Sequence, residues 1–168
     1  MKKVVAFIGS PRKNGNTSSV VGEIVGGAKE AGAVTKVYTL NEMNIKPCQS
    51  CFYCRGVEGC SIKDDMQSVY EDLKEADAIV IGSPIYFGQV NAQTKLLMDR
   101  LFPMIDASFK PRFGIKKAVI VYSQGNNNAD MYKQYLDYNT NLLSFIGLNI
   151  IDSIISVDSN DPNAANCN

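Results

Sequence analysis

The chain has 168 residues, of which 45% are hydrophobic, so it is long enough for one full core and too short for two ordinary domains. Lysine plus arginine and aspartate plus glutamate number 17 each, which leaves no net positive charge to attract nucleic acid or an anionic membrane. Histidine is absent from the sequence, which excludes imidazole-based catalytic triads and histidine-ligated metal sites.

The N-terminal part of the chain predicts a buried strand followed by a helix. Residues 4–9 are a continuous apolar run without alternation, which is typical of a parallel strand covered on both faces. Residues 10–16 form a polar loop, after which Thr17 or Ser18 can cap a helix that ends near Glu30. The apolar run is too short for a signal-peptide core, and no segment reaches the length of a membrane helix. We therefore expect a soluble, cytoplasmic protein with no membrane partner.

The next part of the chain predicts a second strand, a long loop and a second helix. The strand covers residues 34–40. Residues 41–63 lack any period and predict a long functional loop, whose cysteine-rich part is residues 44–63. Asp64 and Asp65 then supply an N-cap and a favourable charge for the helix that follows.

The remaining sequence continues this alternation. Strands are predicted at residues 78–82, 116–122 and 148–157, and helices at residues 91–102 and 129–146. Asn91 can cap the first of these helices. Asp99 and Arg100 are expected on a partly solvated face of the first of these two helices, with an ion pair at an interface as the alternative. Five strands alternating with four helices predict a single domain over residues 1–168, with an α/β fold built on a doubly wound, five-stranded parallel sheet.

The sequence after the last strand is a polar tail that predicts no helix. The usual version of this architecture has a fifth helix, which shares a face of the sheet with the first. Its absence predicts an exposed apolar strip, so we expect a homodimer or homotetramer in which a second subunit covers the strip. Cys167, next to the last residue, is expected to be incidental.

The loop after the first strand carries the groups of a phosphate site. Five residues rather than four separate Gly9 from Gly15, so this is not a Walker A loop. A G-x-G-x-x-G dinucleotide motif is also missing, and a mononucleotide phosphate fits better. A capped helix after a flexible turn remains the alternative. The hydroxyl, amide and guanidinium groups beside the helix N-terminus, which favours an anion, belong to Ser10, Arg12, Asn16, Thr17 and Ser18.

Two further loops follow strands at the edge of the sheet where open parallel sheets bind ligands. Residues 83–89 bring aromatic and aliphatic side chains and a glycine, and residues 123–126 bring backbone and amide hydrogen-bonding groups. Either loop alone is more typical of an ordinary turn, but beside a phosphate loop they predict a flavin pocket. The candidate residues around the flavin ring are Pro84, Ile85, Tyr86, Phe87, Gly88, Ser123, Gln124 and Gly125.

Four of the five cysteines lie within thirteen residues, in the spacing C-x2-C-x2-C-x5-C. They are Cys48, Cys51, Cys54 and Cys60. Thiolates at this spacing can each bind a different iron of one [4Fe-4S] cluster. Because the sequence has no second such run, Cys60 would close the same site. Zinc held by the same four thiolates, and free or redox-paired thiols, remain alternatives.

These loops together resemble the NADPH-dependent FMN reductase family of flavodoxin-like proteins, over about residues 3–125. The resemblance rests on the first loop, on residues 83–88 and on the acidic pair that precedes Met66. It implies FMN as cofactor, with the first loop around the phosphate and the two later loops flanking the ring. The cysteine spacing resembles that of the iron-sulfur flavoproteins, a branch of this family, which implies that the four cysteines hold a [4Fe-4S] cluster near the flavin.

The resemblance implies a flavin-dependent oxidoreductase that passes electrons from a ferredoxin-type protein or NAD(P)H to a small acceptor such as dioxygen, peroxide or a quinone. We expect no indispensable acid or base side chain, because the flavin supplies the redox chemistry. The alternatives are an NAD(P)H-dependent FMN or quinone reductase without a cluster, an electron carrier without catalytic activity, and a zinc-stabilised interaction domain.

Overall fold

Strands and helices alternate along residues 1–161, which with Ala164 are the part of the chain that the computed structural model describes. The strands are β1 (Lys3–Ile8), β2 (Val34–Thr39), β3 (Ala78–Tyr86), β4 (Gln89–Val90), β5 (Lys116–Ser123) and β6 (Leu148–Ser156). The α-helices are α1 (Asn16–Glu30), α2 (Tyr53–Gly56), α3 (Met66–Glu75), α4 (Ala92–Arg100) and α5 (Lys133–Phe145). None of these helices is both long enough and apolar enough to cross a membrane.

The five long strands form a parallel sheet in the order β2-β1-β3-β5-β6. The short strand β4 pairs antiparallel with the end of β3. Because β2 and β3 lie on opposite sides of β1, the direction of winding changes there, and the carboxyl ends of β1 and β3 border the crevice where such sheets bind ligands. The predicted doubly wound, five-stranded parallel sheet is therefore confirmed.

Helices cover both faces of the sheet. Neighbouring residues of a strand point to opposite faces, so Ala6 and Phe7 of β1 enter different cores. Helix α1 packs on a core of small side chains: Ala6, Val21, Val25, Val80 and Val121. Helices α3, α4 and α5 pack on a larger core on the other face, which includes Phe7, Met66, Leu73, Leu97, Ile120 and Leu143.

The face that carries α1 is less completely covered near β6. Val119 and Ile154 pack against the small core but are only partly buried. Over residues 157–161 no helix follows β6. Cys167 and the end of the polar tail lie outside the described residues.

The largest differences from the sequence-based prediction concern three segments. β3 does not end at Gly82, because Ser83 and Pro84 still pair with β5 and the chain then turns back through the β3–β4 hairpin. The predicted helix at 129–146 is divided into a 3-10 turn (Ala129–Tyr132) and α5. The long loop contains a further 3-10 turn (Leu40–Glu42) and the short helix α2.

The first loop is fixed to the start of α4 through Asn91. As predicted, Asn91 caps this helix, and its side-chain oxygen accepts from the Thr94 backbone amide at 3.2 Å. Its side-chain amide donates to the Gly9 carbonyl oxygen at 2.6 Å. A Cβ atom on Gly9 would lie 1.9 Å from the Thr94 Oγ1, so only glycine fits this contact. One buried asparagine therefore sets where the first loop begins.

Candidate functional site

A polar cavity of about 180 Å³ lies at the carboxyl ends of β1, β3 and β5. Among the residues of the predicted flavin site, those that line it are Ser10, Arg12, Asn16, Thr17, Pro84, Ile85, Tyr86, Ser123 and Gly125. The three loops singled out in the sequence therefore meet at one place. The remaining four residues, which do not line this cavity, are Ser18, Phe87, Gly88 and Gln124.

The first loop is held in shape by hydrogen bonds around Arg12. The Arg12 backbone amide donates to the Ser10 hydroxyl oxygen at 3.1 Å, and the Ser18 hydroxyl donates to the Arg12 carbonyl oxygen at 3.0 Å. Ser18 thus stabilises the loop, although its side chain lies outside the cavity wall. Gly15, not Thr17 or Ser18, occupies the N-cap of α1, so no capping side chain stands between the helix N-terminus and the cavity. A phosphate is the kind of group that such a helix end and a guanidinium bind.

Two hydroxyl groups join α1 to the end of β5 beside this cavity. The Thr17 Oγ1 and the Ser123 Oγ lie 2.6 Å apart, and both residues are buried. Hydroxyl groups both donate and accept, so this pair can also serve a bound ligand. The predicted residues from the first and third loops are thereby in direct contact.

Gln124, in the third loop, is buried and does not line the cavity. Its amide nitrogen donates to the Asn128 carbonyl oxygen at 2.7 Å, which fixes the loop. Its Oε1 is buried and has no hydrogen-bond partner within the described part of the chain. An unsatisfied buried acceptor is costly, and a bound water molecule is the kind of group that would satisfy it.

The polar tail contributes two cavity residues that the sequence did not identify. Ser159 and Asn160 line the cavity. The Ser159 backbone amide donates to the Gln124 carbonyl oxygen at 2.9 Å, and the Asn160 side chain donates to the Gly125 carbonyl oxygen at 3.1 Å. The Asn16 side chain also donates to the Asp161 carbonyl oxygen at 2.7 Å. Only the turn-forming composition of the tail could have signalled this contact.

A second cavity, of about 450 Å³, is lined by all four clustered cysteines. Cys48 and Cys51 are exposed, whereas Cys54 and Cys60 are half-buried, and all four are free thiols. The other side of this cavity includes Met98, Arg100 and Phe102, from the end of α4 and the turn after it. The long loop therefore brings the four predicted ligands to the wall of one cavity against α4.

Local backbone geometry turns the cysteines toward this cavity. Ser50 and Phe52, which lie between successive cysteines, adopt left-handed φ angles of 51° and 56°. The sharp turn at Ser50 places its backbone amide 3.5 Å from the Cys48 Sγ. Left-handed conformations are costly for residues other than glycine, so the surrounding contacts must hold this segment in place.

The thiols differ in their electrostatic surroundings. Burial raises the pKa of the Cys54 thiol, and the neighbouring Cys60 adds to this effect. A hydrogen bond with the Ser61 hydroxyl, 3.3 Å away, lowers the pKa of Cys51.

The chemistry of the donor set can be compared with the groups it could hold. Over residues 1–161, no three or more Cys, Asp or Glu side chains are gathered around one point as a single metal ion requires. A zinc ion needs four sulfur atoms at about 2.3 Å from one centre. A [4Fe-4S] cluster takes one thiolate per iron and so accepts ligands spread around a wider cavity. Four thiols around 450 Å³ fit the cluster.

Arg100 is the main residue of this region that sequence analysis placed wrongly. Its side chain is 1% exposed, whereas Asp99 is solvent-accessible and pairs with Lys95. The Arg100 guanidinium makes two hydrogen bonds to the Asp64 carboxylate, at 2.6 and 3.1 Å, and a third to the Lys46 carbonyl oxygen at 2.6 Å. Its position three residues after the buried Leu97 was the available signal for burial.

The Asp64–Arg100 pair is held in its charged form. Burial alone would raise the pKa of Asp64, but hydrogen bonds from Arg100 and from the Lys46 and Met66 amides outweigh it and lower that pKa. Burial likewise acts to lower the pKa of Arg100, and the hydrogen bond with Asp64 outweighs it, so that pKa is raised. Both groups stay ionised at neutral pH.

We predict that Asp64→Ala lowers the free energy of unfolding by about 3–5 kcal/mol, because it leaves a buried guanidinium without its partner. Since the pKa of Asp64 is lower in the folded than in the unfolded chain, its stabilisation is complete above the ordinary value of 3.8 and is lost as the pH falls below it. Urea unfolding at several pH values measures both effects. Asp99→Ala, which removes an exposed pair, is the control and should cost about 1 kcal/mol or less. Equal losses in the two variants would contradict the assignment.

Comparison with known proteins shows the family to which this chain belongs. The model of the NADPH-dependent FMN reductase family matches residues 2–159. An iron-sulfur flavoprotein of Methanocaldococcus jannaschii is 36% identical over 162 residues, which are 96% of this chain and 79% of that protein. An iron-sulfur flavoprotein of Archaeoglobus fulgidus is 41% identical over 119 residues, which are 69% of this chain and 60% of that protein. The second match thus spans only three fifths of its relative.

Solved structures share the fold. The NAD(P)H:quinone oxidoreductase from Methanothermobacter marburgensis superposes with a TM-score of 0.74 at 18% identity, covering 99% of this chain and 90% of that one. An azoreductase from Bacillus anthracis superposes with a TM-score of 0.71 at 15% identity, covering 99% and 92%. With the family match and the relatives above, the chain belongs to the NADPH-dependent FMN reductase family, in its iron-sulfur flavoprotein branch, and is a flavin-dependent oxidoreductase.

Proposed function

We propose that this protein binds FMN in the polar cavity and a [4Fe-4S] cluster in the cysteine cavity, and that it passes electrons between a donor and a small acceptor. The observation that carries the proposal is the meeting of four cysteines at one cavity wall, although the first and the last of them are twelve positions apart. The names of the relatives, which describe iron-sulfur flavoproteins, support the same conclusion.

The chain's contribution at the FMN site is binding and orientation. FMN, when bound, takes up two electrons or a hydride and can release electrons singly. Arg12, with the hydroxyl and amide groups of the first loop, would hold the phosphate, and the loops at 84–88 and 123–125 would flank the ring. The described residues that line the cavity include no carboxylate and no lysine. We therefore assign no acid or base side chain to the reaction.

The chain's contribution at the cluster site is the ligand set. Cys48, Cys51, Cys54 and Cys60 would each bind one iron, and the cluster supplies one-electron transfer. The exposure of Cys48 and Cys51 places this site at the surface, within reach of a protein partner. This position favours a ferredoxin-type donor, with NAD(P)H as the alternative donor and dioxygen, peroxide or a quinone as acceptor. We place the protein in the cytoplasm, where thiols stay reduced.

The experiment that tests the proposal is an absorption spectrum of protein purified without oxygen, with flavin, iron and acid-labile sulfide counted on the same sample. We expect flavin bands, a broad shoulder at about 400 nm that dithionite bleaches, and about four irons per chain. Cys54→Ser should lose most of the iron. Cys167→Ser, which removes the one cysteine outside the cluster motif, is the matched control and should keep it.

Other results would identify a different protein. Flavin without iron would establish an NAD(P)H-dependent FMN or quinone reductase whose cysteines are not cluster ligands. Colourless protein with one zinc per chain would contradict both cofactor assignments.

We predict that Arg12→Gln weakens FMN binding about tenfold, because it removes a charge-assisted hydrogen bond to the phosphate. Fluorescence titration of the flavin-free protein with FMN measures the dissociation constant. Lys13→Gln removes the same charge from the neighbouring residue, which pairs with Glu42 and does not line the cavity. It should leave the affinity nearly unchanged, and similar effects of the two variants would argue against a phosphate contact for Arg12.

We further propose that a second copy of this chain covers the less protected face of the sheet. Partly buried Val119 and Ile154 provide apolar area there. Sedimentation at micromolar concentration should show a dimer or a tetramer, and Ile154→Lys should shift it toward the monomer. A stable monomer of the unaltered chain would contradict this proposal.

A further inference from the structure

The cysteine cavity contains a buried positive charge in addition to its four thiols. The Arg100 Nη2 lies 3.6 Å from the Cys60 Sγ, within hydrogen-bonding range for sulfur. Arg100 itself is part of the cavity wall. Its Nε is buried and has no hydrogen-bond partner in the part of the chain that the structure describes. The Arg55 Nη1 is also buried without a partner among the described residues, so the contact with the Cys60 sulfur is what sets Arg100 apart.

Two other arginines near the cysteines are engaged with different groups. The Arg55 guanidinium stacks on the Phe109 ring at 4.0 Å and donates to the Ala107 carbonyl oxygen at 2.7 Å. Arg112 donates to the Cys54 carbonyl oxygen at 3.0 Å, a backbone contact. Arg100 is thus the arginine of this group whose hydrogen bonds include a candidate ligand sulfur.

Burial determines how strongly this charge acts on the site. Charges that water does not reach are screened much less than surface charges. The Asp64 carboxylate and the Lys46 carbonyl oxygen hold the guanidinium in one position, and the carboxylate opposes part of its charge. Four thiolates around a [4Fe-4S] cluster give the site a net negative charge that becomes larger by one unit when the cluster takes up an electron.

We propose that Arg100 acts through Cys60 to stabilise the reduced, more negative state of the cluster and so raises its reduction potential, with Asp64 as the residue that positions the guanidinium. This inference rests on the proposed function, because it requires a cluster bound by Cys60. The reaction concerned is the uptake of one electron by the cluster from an external reductant, with no bond formed or broken in Arg100. Arg100 does not itself bind the cluster and acts on it through the Cys60 sulfur.

The test is a redox titration of the cluster, followed by electron paramagnetic resonance, in protein of measured iron and sulfide content. Arg100→Gln should lower the equilibrium constant for one-electron reduction of the cluster about tenfold. This corresponds to a reduction potential that is about 59 mV more negative. Arg100→Lys keeps the charge and should stay close to the unaltered protein. Asp64→Asn removes the opposing negative charge and should shift the potential in the positive direction. A purely structural role for the ion pair would not give shifts of opposite sign.

Two further variants serve as a charge control and as a replacement for a variant that does not fold. Lys95→Gln removes one positive charge from the exposed side of the same helix, and we expect no shift because solvent screens that residue. If Arg100→Gln does not fold, the double variant Asp64→Asn/Arg100→Gln replaces the ion pair with a neutral hydrogen-bonded pair, and we expect a smaller shift in the negative direction. If Arg100→Gln folds and keeps its full iron content but its reduction potential is unchanged, the inference is overturned. Unaltered protein without iron would instead overturn the proposed function.

Discussion

The long loop depends on one buried ion pair at its base. Lys46 precedes Cys48 and Asp64 follows Cys60, so they lie on either side of the four clustered cysteines. The Lys46 backbone amide donates to the Asp64 carboxylate at 2.9 Å. Arg100 of α4 binds both of these residues, so a single guanidinium joins the two ends of the loop to the helix. Holding the ends together removes much of the conformational freedom of the residues between them. The cysteines can therefore share one cavity in a segment with little regular structure of its own.

Helix α4 connects this region to the polar cavity. Its cap, Asn91, holds the Gly9 carbonyl group at the start of the first loop, and its last residue, Arg100, lies against Cys60. A helix of nine residues is about 14 Å long. The two candidate sites thus lie toward opposite ends of one short rigid element, which fixes their separation within the chain.

The sequence was sufficient for the features that depend on local pattern. Continuous apolar runs predicted the parallel strands, the cysteine spacing predicted a shared site, and Asn91 was correctly identified as a cap. The pairing of Arg100 with Asp64 was not predictable in the same way, since the two residues are 36 positions apart and a charged residue on a helix is usually solvated. The contacts of Ser159 and Asn160 were missed because a polar tail has no periodicity that would indicate a position. The end of β3 was also missed, because residues 83–86, whose composition had suggested a loop, pair with β5 and β4.

The central claim is that Cys48, Cys51, Cys54 and Cys60 bind one iron-sulfur cluster in the cavity beside α4. The most direct measurement is X-ray diffraction at the iron absorption edge from crystals grown without oxygen. We expect a single compact anomalous peak in this cavity, resolved into irons that are each bonded to one of the four Sγ atoms. Anomalous density elsewhere, or a cavity with four thiols and no iron in protein purified without oxygen, would contradict it.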